Sequence, residues 1–390
     1  MSDEGERPRR ELSFLLKLGP PLAVMLGPQD AKVEKAYQRC CDLAKSLGDE
    51  TARFKATWGL WFSANIGRKL KEARDRAQEL VALGERSLDS DLLLEAFHCR
   101  WSTAFFRGDV RGTLHDSLQG TQRYEPAKHR WMAAVFGGHD PGVCATGVRA
   151  TAFSQTGSIQ EARKAIDESL LMAEQLDHPH STAHALQGAT TTCIVSRDFR
   201  ALDLHAQHLL EVSEKYNFPP NRAHALIVAG FSRALGEGDV EGLATIETEF
   251  PRASAMGPMF RVYSAILAEA RLRFGKIPEA LKVLDWAIGT VTEPGVGLYV
   301  PELYRLRGLC LLRRDSLEHG EAMHSLQTAL ETARQQGAML FQLRAAMDLA
   351  EASRGTEEEE RFHQSLADFC GTLPKEFDAP ERAAAASISS

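Results

Sequence analysis

A motif that returns about every 40 residues constrains this chain more than any other feature. Its clearest copies are TGSIQEARKAIDESL (Thr156 to Leu170) and FGKIPEALKVLDWAI (Phe274 to Ile288). Aligned on Ala162 and Ala280, Gly157 matches Gly275, Ile166 matches Leu284 and Ala150 matches Ala268. Small residues at the first and middle positions let two helices approach closely, and the larger apolar residue fills the gap behind them. The unit is therefore two helices and a tight turn, with Ala or Gly early in the second helix. This is tetratricopeptide logic, with the period stretched from about 34 to about 40 residues by longer helices.

Equivalent positions fall at Ala73, Gly112, Ala162, Ala201, Gly242, Ala280 and Ala322, at intervals of 39, 50, 39, 41, 38 and 42 residues. The one irregular interval contains YEPAKHRWMAAVFGGHDPGV, Tyr124 to Val143. No period-two alternation bounded by hairpin turns occurs, so no sheet is expected. The predicted fold is all-α, a tetratricopeptide-like right-handed α-α superhelix of about nine helix pairs. Those pairs are placed at 8–47, 49–86, 89–124, 140–176, 181–216, 221–255, 258–291, 300–336 and 338–370. LGPP (Leu18 to Pro21) is expected to kink or end the first helix, because Pro lacks the N–H and clashes with the preceding turn. Phe377 to Ala386 is read as a short capping helix and the last few residues as disordered. The expected organisation is an N-terminal block of three pairs (8–124), an ordered linker (125–139) and a C-terminal block of six pairs with its cap (140–386).

Composition narrows the function classes. The 46 basic and 53 acidic residues are interspersed and give a net charge of −7, which disfavours nucleic acid, since phosphate binding needs a dense basic face. No apolar run of membrane-spanning length and no apolar signal region occur, so a cytoplasmic protein without a membrane partner is expected. The seven cysteines are odd in number and scattered through apolar helical patterns, and they read as small buried hydrophobes in a reducing compartment. Adjacent Cys40 and Cys41 point in different directions on a helix, which argues against a redox pair.

Several motifs resemble one family. These are LGPPLAVM (Leu18 to Met25), VEKAYQRCCDLAKSLGD (Val33 to Asp49), WGLW (Trp58 to Trp61), YEPAKHR (Tyr124 to Arg130), GGHDPGVCA (Gly137 to Ala145), ELYRLRG (Glu302 to Gly308), LRAAMDLA (Leu343 to Ala350) and FDAPE (Phe377 to Glu381). In collinear order they resemble the C-terminal repeat region of bacterial signalling proteins that join a class III adenylate cyclase domain, a signal-transduction ATPase and a tetratricopeptide array. YEP…H followed by GxDPGV is the most specific part, since ordinary tetratricopeptide repeats lack it. These 390 residues contain neither a GxxxxGK[ST] phosphate loop nor a cyclase domain, so neither activity is carried over. What the resemblance implies is the role of the array, which is taken to receive a signal through protein or ligand contacts.

Candidate chemistry is sparse, and no catalytic residue, cofactor or metal is expected. In DHPHSTAHA (Asp177 to Ala185), His180 and His184 share a helix face at metal-binding spacing, with His178, Asp177, His205 and His208 as possible partners. The simpler account is a helix start marked by Pro179 and Ser181 with exposed imidazoles. His139–Asp140 invites comparison with phosphohydrolases, but no further ligands are suitably spaced. Asp140 instead caps a helix that begins at Pro141. Tyr124, Pro126, His129, Asp140, Pro141 and Gly142 are therefore assigned to a structural joint, with Tyr124, His129 and Trp131 expected to pack the linker onto the neighbouring helices. The Trp58–Trp61 pair is assigned to the core. No GxSxG-type turn supports a nucleophile.

The binding candidates are Arg222, Arg233, Arg261, Arg271, Arg305 and Arg307, all on predicted first helices. In such solenoids first helices line the concave face, where Arg suits carboxylates or an acidic peptide. The expected function is a non-catalytic scaffold or sensor module in bacterial signal transduction, holding a partner protein or peptide in its groove. The alternative is a small-molecule effector inside the superhelix, and a metal-dependent enzyme near His180 comes third.

Overall fold

A computed structural model describes residues 3–87, 89–255, 257–314 and 318–389. Every regular element among them is helical. The first three pairs are α1 (Asp3–Leu26) and α2 (Ala31–Leu47), α3 (Glu50–Ile66) and α4 (Leu70–Ser87), and α5 (Ser90–Arg107) and α6 (Val110–Thr121). Two one-turn helices follow, α7 (Pro126–His129) and α8 (Met132–Val135). The pairing then resumes with α9 (Pro141–Gln155) and α10 (Ile159–Leu176), α11 (Pro179–Ser196) and α12 (Phe199–Lys215), and α13 (Pro219–Phe231) and α14 (Val240–Ala255). A π turn, Ser232–Glu237, extends α13. The last pairs are α15 (Phe260–Arg273) and α16 (Ile277–Gly289), α17 (Val300–Arg314) and α18 (His319–Gln336), and α19 (Met339–Ala352) and α20 (Glu359–Thr372). The terminal helix is α21 (Glu381–Ser389).

The repeat marker works as its chemistry requires. Ala73, Ala162, Gly242, Ala280 and Ala322 are buried, each in the first turn of a second helix, and Gly112 and Ala201 hold the same place half-buried. Closest approach occurs at Gly242, where a Cβ would lie 2.5 Å from the Gly230 carbonyl oxygen and 2.7 Å from the Ala234 nitrogen. Only glycine fits there.

The two helices of each pair have different surroundings. Second helices carry one apolar stripe, as in α12, where Leu202, Ala206, Leu209 and Ser213 are buried at helical spacing and the opposite face is solvated. First helices α5, α9, α11 and α15 are buried on nearly every side. They form the inner layer.

Four to five pairs along, the chain returns against itself. The amides of Gly297 and Leu298 donate to the carbonyls of Arg107 (2.8 Å) and Phe106 (2.9 Å) at the end of α5. Asp378 accepts from the Ile159 amide (2.5 Å) and the Gln160 amide (3.2 Å), capping α10 from the far end of the chain. Phe377 beside it is 1% exposed and lies over Gly157. The FDAPE motif is thus a latch between superhelical turns.

Two local expectations are corrected. Pro20 and Pro21 do not end α1, which continues to Leu26 and stops at Gly27, in the left-handed region at φ +89°. The terminal helix spans Glu381–Ser389 and not Phe377 to Ala386. Phe377 and Asp378 are committed to the latch in a non-helical segment, so helix can begin only after Pro380. Ser390 lies outside the described residues.

Candidate functional site

The inner layer encloses a cavity of about 510 Å³. First helices supply most of its wall. Trp61, Phe62 and Asn65 come from α3, His98, Ser102, Phe105 and Phe106 from α5, and Cys144, Gly147, Val148 and Thr151 from α9. His184, Gln187, Gly188 and Thr191 come from α11, and Tyr263 from α15. Gly147 and Gly188 let α9 and α11 close the wall, since a Cβ on Gly188 would sit 3.2 Å from the Gly147 Cα. The surface is mainly aromatic and aliphatic, with amides and hydroxyls between, the usual composition of a small-ligand or side-chain pocket. Asn65 Oδ1 is buried without a hydrogen-bond partner within the chain.

One end of this cavity carries a cluster of imidazoles and a thiol. His98 Nε2 lies 3.2 Å from His139 Nε2. The His139 ring stacks on that of His184 at 3.8 Å with an interplanar angle of 11°. Cys144 belongs to the same group, its Sγ and one nitrogen each of His98 and His139 all lying within 4.8 Å of one another. Trp101 Nε1 donates to the Cys144 sulfur at 3.4 Å.

A second ring of contacts orients the imidazoles. His98 Nδ1 lies 3.2 Å from the buried Glu95 carboxylate, which also accepts from Trp58 Nε1 at 2.7 Å. His139 Nδ1 lies 3.1 Å from the Gly137 carbonyl. Burial opposes charge on His98, but the neighbouring Glu95 and Cys144 outweigh it and hold the imidazole pKa well above its ordinary value. Burial would likewise raise the Cys144 thiol, yet His98 and His184 bring it well below the usual range. His139 is pushed well down by burial and by His98, and His184 falls to about 4 through burial and His139. The group therefore stabilises a thiolate beside an imidazolium.

These residues were not grouped by sequence spacing. His180 and His184 do not converge, because His180 Nδ1 bonds the Gly138 carbonyl at 2.6 Å while His184 faces the cavity. His178 is the N-cap of α11, accepting from the Ser181 amide at 3.3 Å. The partners of His139 lie one repeat away in the sequence, with His98 earlier by 41 positions and His184 40 positions beyond Cys144. Side chains one period apart on successive first helices stand side by side, and that spacing is the signal a search within single helices misses.

The joint residues form a tight wedge. Asp140 caps α9, accepting from Gly142 N (2.8 Å) and Val143 N (3.1 Å), with Pro141 in the first turn. Burial raises the Asp140 carboxyl pKa even against the Tyr124 hydroxyl and those amides. The Tyr124 ring covers Gly142 so closely that a Cβ there would lie 2.4 Å from it. Pro126 starts α7, and His129, 1% exposed, accepts from Glu125 N at 2.9 Å and meets Asp91 at 3.2 Å. Trp131 departs from expectation: it is 43% exposed and its ring meets Phe136 of the same segment. Trp61 is buried and donates to Thr103 Oγ1 at 2.8 Å, while Trp58 stacks on Phe62 at 5.3 Å.

The six arginines are engaged within the chain. Arg222 pairs with Glu214 (3.3 Å), and Arg233, in the π turn, donates to Thr245 Oγ1 (3.0 Å). Arg271 holds Glu247 at 3.0 Å, and Arg307 bridges Asp285 and Glu321. Arg261 is buried against the Thr290 carbonyl at 3.2 Å, and burial with Arg68 nearby lowers its pKa to about 10. Arg305 is buried between Glu302 (2.8 Å) and Asp348 (2.7 Å) and lines a second cavity of about 370 Å³ with Arg197, Glu269, Arg344 and Glu381. None of the six lines the larger cavity.

No protein-family model matches the sequence. An uncharacterized protein of Rhizobium meliloti (strain 1021) is 25% identical over 356 residues, covering 90% of this chain and 34% of that protein. The chain thus spans about a third of the length of that curated relative. Among solved structures, the Rap protein complexed with Competence and Sporulation Factor superposes with a TM-score of 0.63 at 12% identity, over 94% of this chain and 99% of that one. NprR in complex with its cognate peptide NprX gives 0.51 at 13% identity, over 86% and 96%. At these identities the likeness is one of fold. This chain is a tetratricopeptide-like helical solenoid.

Proposed function

We propose that this protein is a non-catalytic receptor module of a bacterial signalling system that holds a peptide, or an extended segment of a partner protein, in the cavity between its first helices. The observation that carries this reading is the buried, unpartnered Asn65 Oδ1 on a residue that lines a mainly apolar cavity of about 510 Å³. A peptide amide would satisfy that acceptor, and peptide side chains would fill the aromatic wall. The NprR structure, solved with its cognate peptide NprX, and the Rap structure, solved with Competence and Sporulation Factor, support the reading through shared fold. The resemblance to the repeat arrays of adenylate cyclase and ATPase regulators supports a role in signal reception, and a cytoplasmic location fits it.

The test is selection from a random peptide library on the full chain, followed by titration of a selected peptide. Asn65→Ala and Gln187→Ala should each weaken binding about tenfold, the scale of one buried hydrogen bond. Binding unchanged in both variants would remove the peptide from this cavity. A small-molecule effector is the second reading, favoured by a volume within the range of about 300–1,000 Å³ typical of ligand pockets. It predicts a rise in Tm with a metabolite that also displaces the selected peptide.

A further inference from the structure

We infer that His98, His139 and Cys144, with His184 beside them, form a binding site for one soft divalent transition-metal ion of the zinc class. Glu95 and the Gly137 carbonyl can only accept, so the Nδ1 atoms of His98 and His139 both carry protons. In the neutral rings each Nε2 keeps its lone pair, and the two face one another at 3.2 Å. Two lone pairs at that distance repel unless a cation, either a proton or a metal, lies between them.

The dimensions fit a metal. Two imidazole nitrogens on tetrahedral zinc, each about 2.0–2.1 Å from the ion, stand about 3.3 Å apart. The sulfur and both nitrogens already lie within 4.8 Å of one another, so side-chain adjustments of about an ångström complete three ligand bonds. Charge fits as well. Once the ion displaces the proton between the two rings, the buried Glu95 carboxylate and the Cys144 sulfur, bound as thiolate, balance its two charges. The orienting shell is also built. A carboxylate on the distal nitrogen of one ligand histidine and a backbone carbonyl on that of the other are the usual outer partners of metal-bound imidazoles. His184, stacked on His139, offers the fourth donor or leaves that position facing the cavity.

The donors come from α5, the segment before α9, α9 itself and α11, so a bound ion would fasten the irregular interval to the repeats on both sides.

The experiment uses the full chain, reduced, stripped of metal with a chelator and titrated with Co²⁺ and then Zn²⁺. One equivalent of Co²⁺ should bind with a near-ultraviolet thiolate-to-cobalt charge-transfer band that Zn²⁺ abolishes. Cys144→Ser should remove the band, His139→Gln should weaken binding at least tenfold, and the Cys40→Ser/Cys41→Ser double variant should change neither. Glu95→Gln, which alters only a positioning residue, should keep the band while weakening binding about 10- to 100-fold. Zn²⁺ should also protect Cys144 from alkylation by iodoacetamide. Absence of saturable binding in the wild type overturns the inference, as does a band that persists in Cys144→Ser. Should Cys144→Ser fail the circular-dichroism check for folding, His139→Gln decides, and undiminished binding in that folded variant overturns it equally.

Discussion

His224 is wholly enclosed between Thr190 Oγ1 (2.8 Å) and the Tyr263 hydroxyl (2.9 Å), and burial lowers its pKa to about 4. In the unfolded chain the same imidazole takes up its proton near pH 6.5, so between about pH 6.5 and 4 the unfolded state binds more protons. Stability is complete above that window and falls as pH drops through it, by up to about 3 kcal/mol. His184, also lowered to about 4, adds to the same slope. Urea titrations from pH 7.5 to 4.5 should show His224→Gln losing visibly less stability on acidification than the wild type. Equal losses would mean that this histidine is not held neutral. At this scale the sequence was legible wherever chemistry is local. Asp140 before Pro141 reads as a cap because the carboxylate and the amides it accepts from are two and three residues apart. The histidine–cysteine cluster was not legible, because its members meet only once successive repeats are stacked.

Single positions matter to the elements through close approach. Position 73 and its six equivalents could be placed from the sequence because small residues there follow from helix contact, and period alone carries that information. The latch at the C-terminus could not. Nothing in FDAPE announces that Asp378 caps α10 more than two hundred residues earlier, since that contact exists only after the superhelix has come round. Phe377→Ala should destabilise the protein by about 3–5 kcal/mol, the usual cost of deleting a buried aromatic ring. Asp378→Ala, which removes only a cap, should cost about 1 kcal/mol. Hydrogen exchange in Asp378→Ala should rise at Ile159 and Gln160 and leave α3 unaffected. If protection at Ile159 is unchanged, the latch is not formed in solution. The prolines of α1 mark the opposite limit, for their local rule says where a helix is weakened and not whether packing against α2 and α3 sustains it.

Across the whole molecule, inner helices are buried on nearly all sides and outer ones are half-solvated, and this division sorts the arginines that sequence position groups together. Arg305 is held with Glu302 and Asp348 inside the superhelix, whereas Arg222 is a surface pair. Arg305→Glu should destabilise by about 3–5 kcal/mol or prevent folding, because it leaves buried carboxylates uncompensated. Arg222→Glu should shift Tm hardly at all. Equal effects in thermal melts would contradict the ion network. Nine pairs and their order follow from periodicity, but the cavity depends on how tightly the superhelix turns, which is a sum of small rotations that no single repeat encodes. The most direct test of that cavity as a receptor site is photo-crosslinking of a library-selected peptide to the full chain, with the crosslinked residues located by mass spectrometry. Crosslinks should fall on the inward-facing residues of α3, α5, α9 and α11. Crosslinks confined to the outer faces of α4, α10 and α12 would contradict the account.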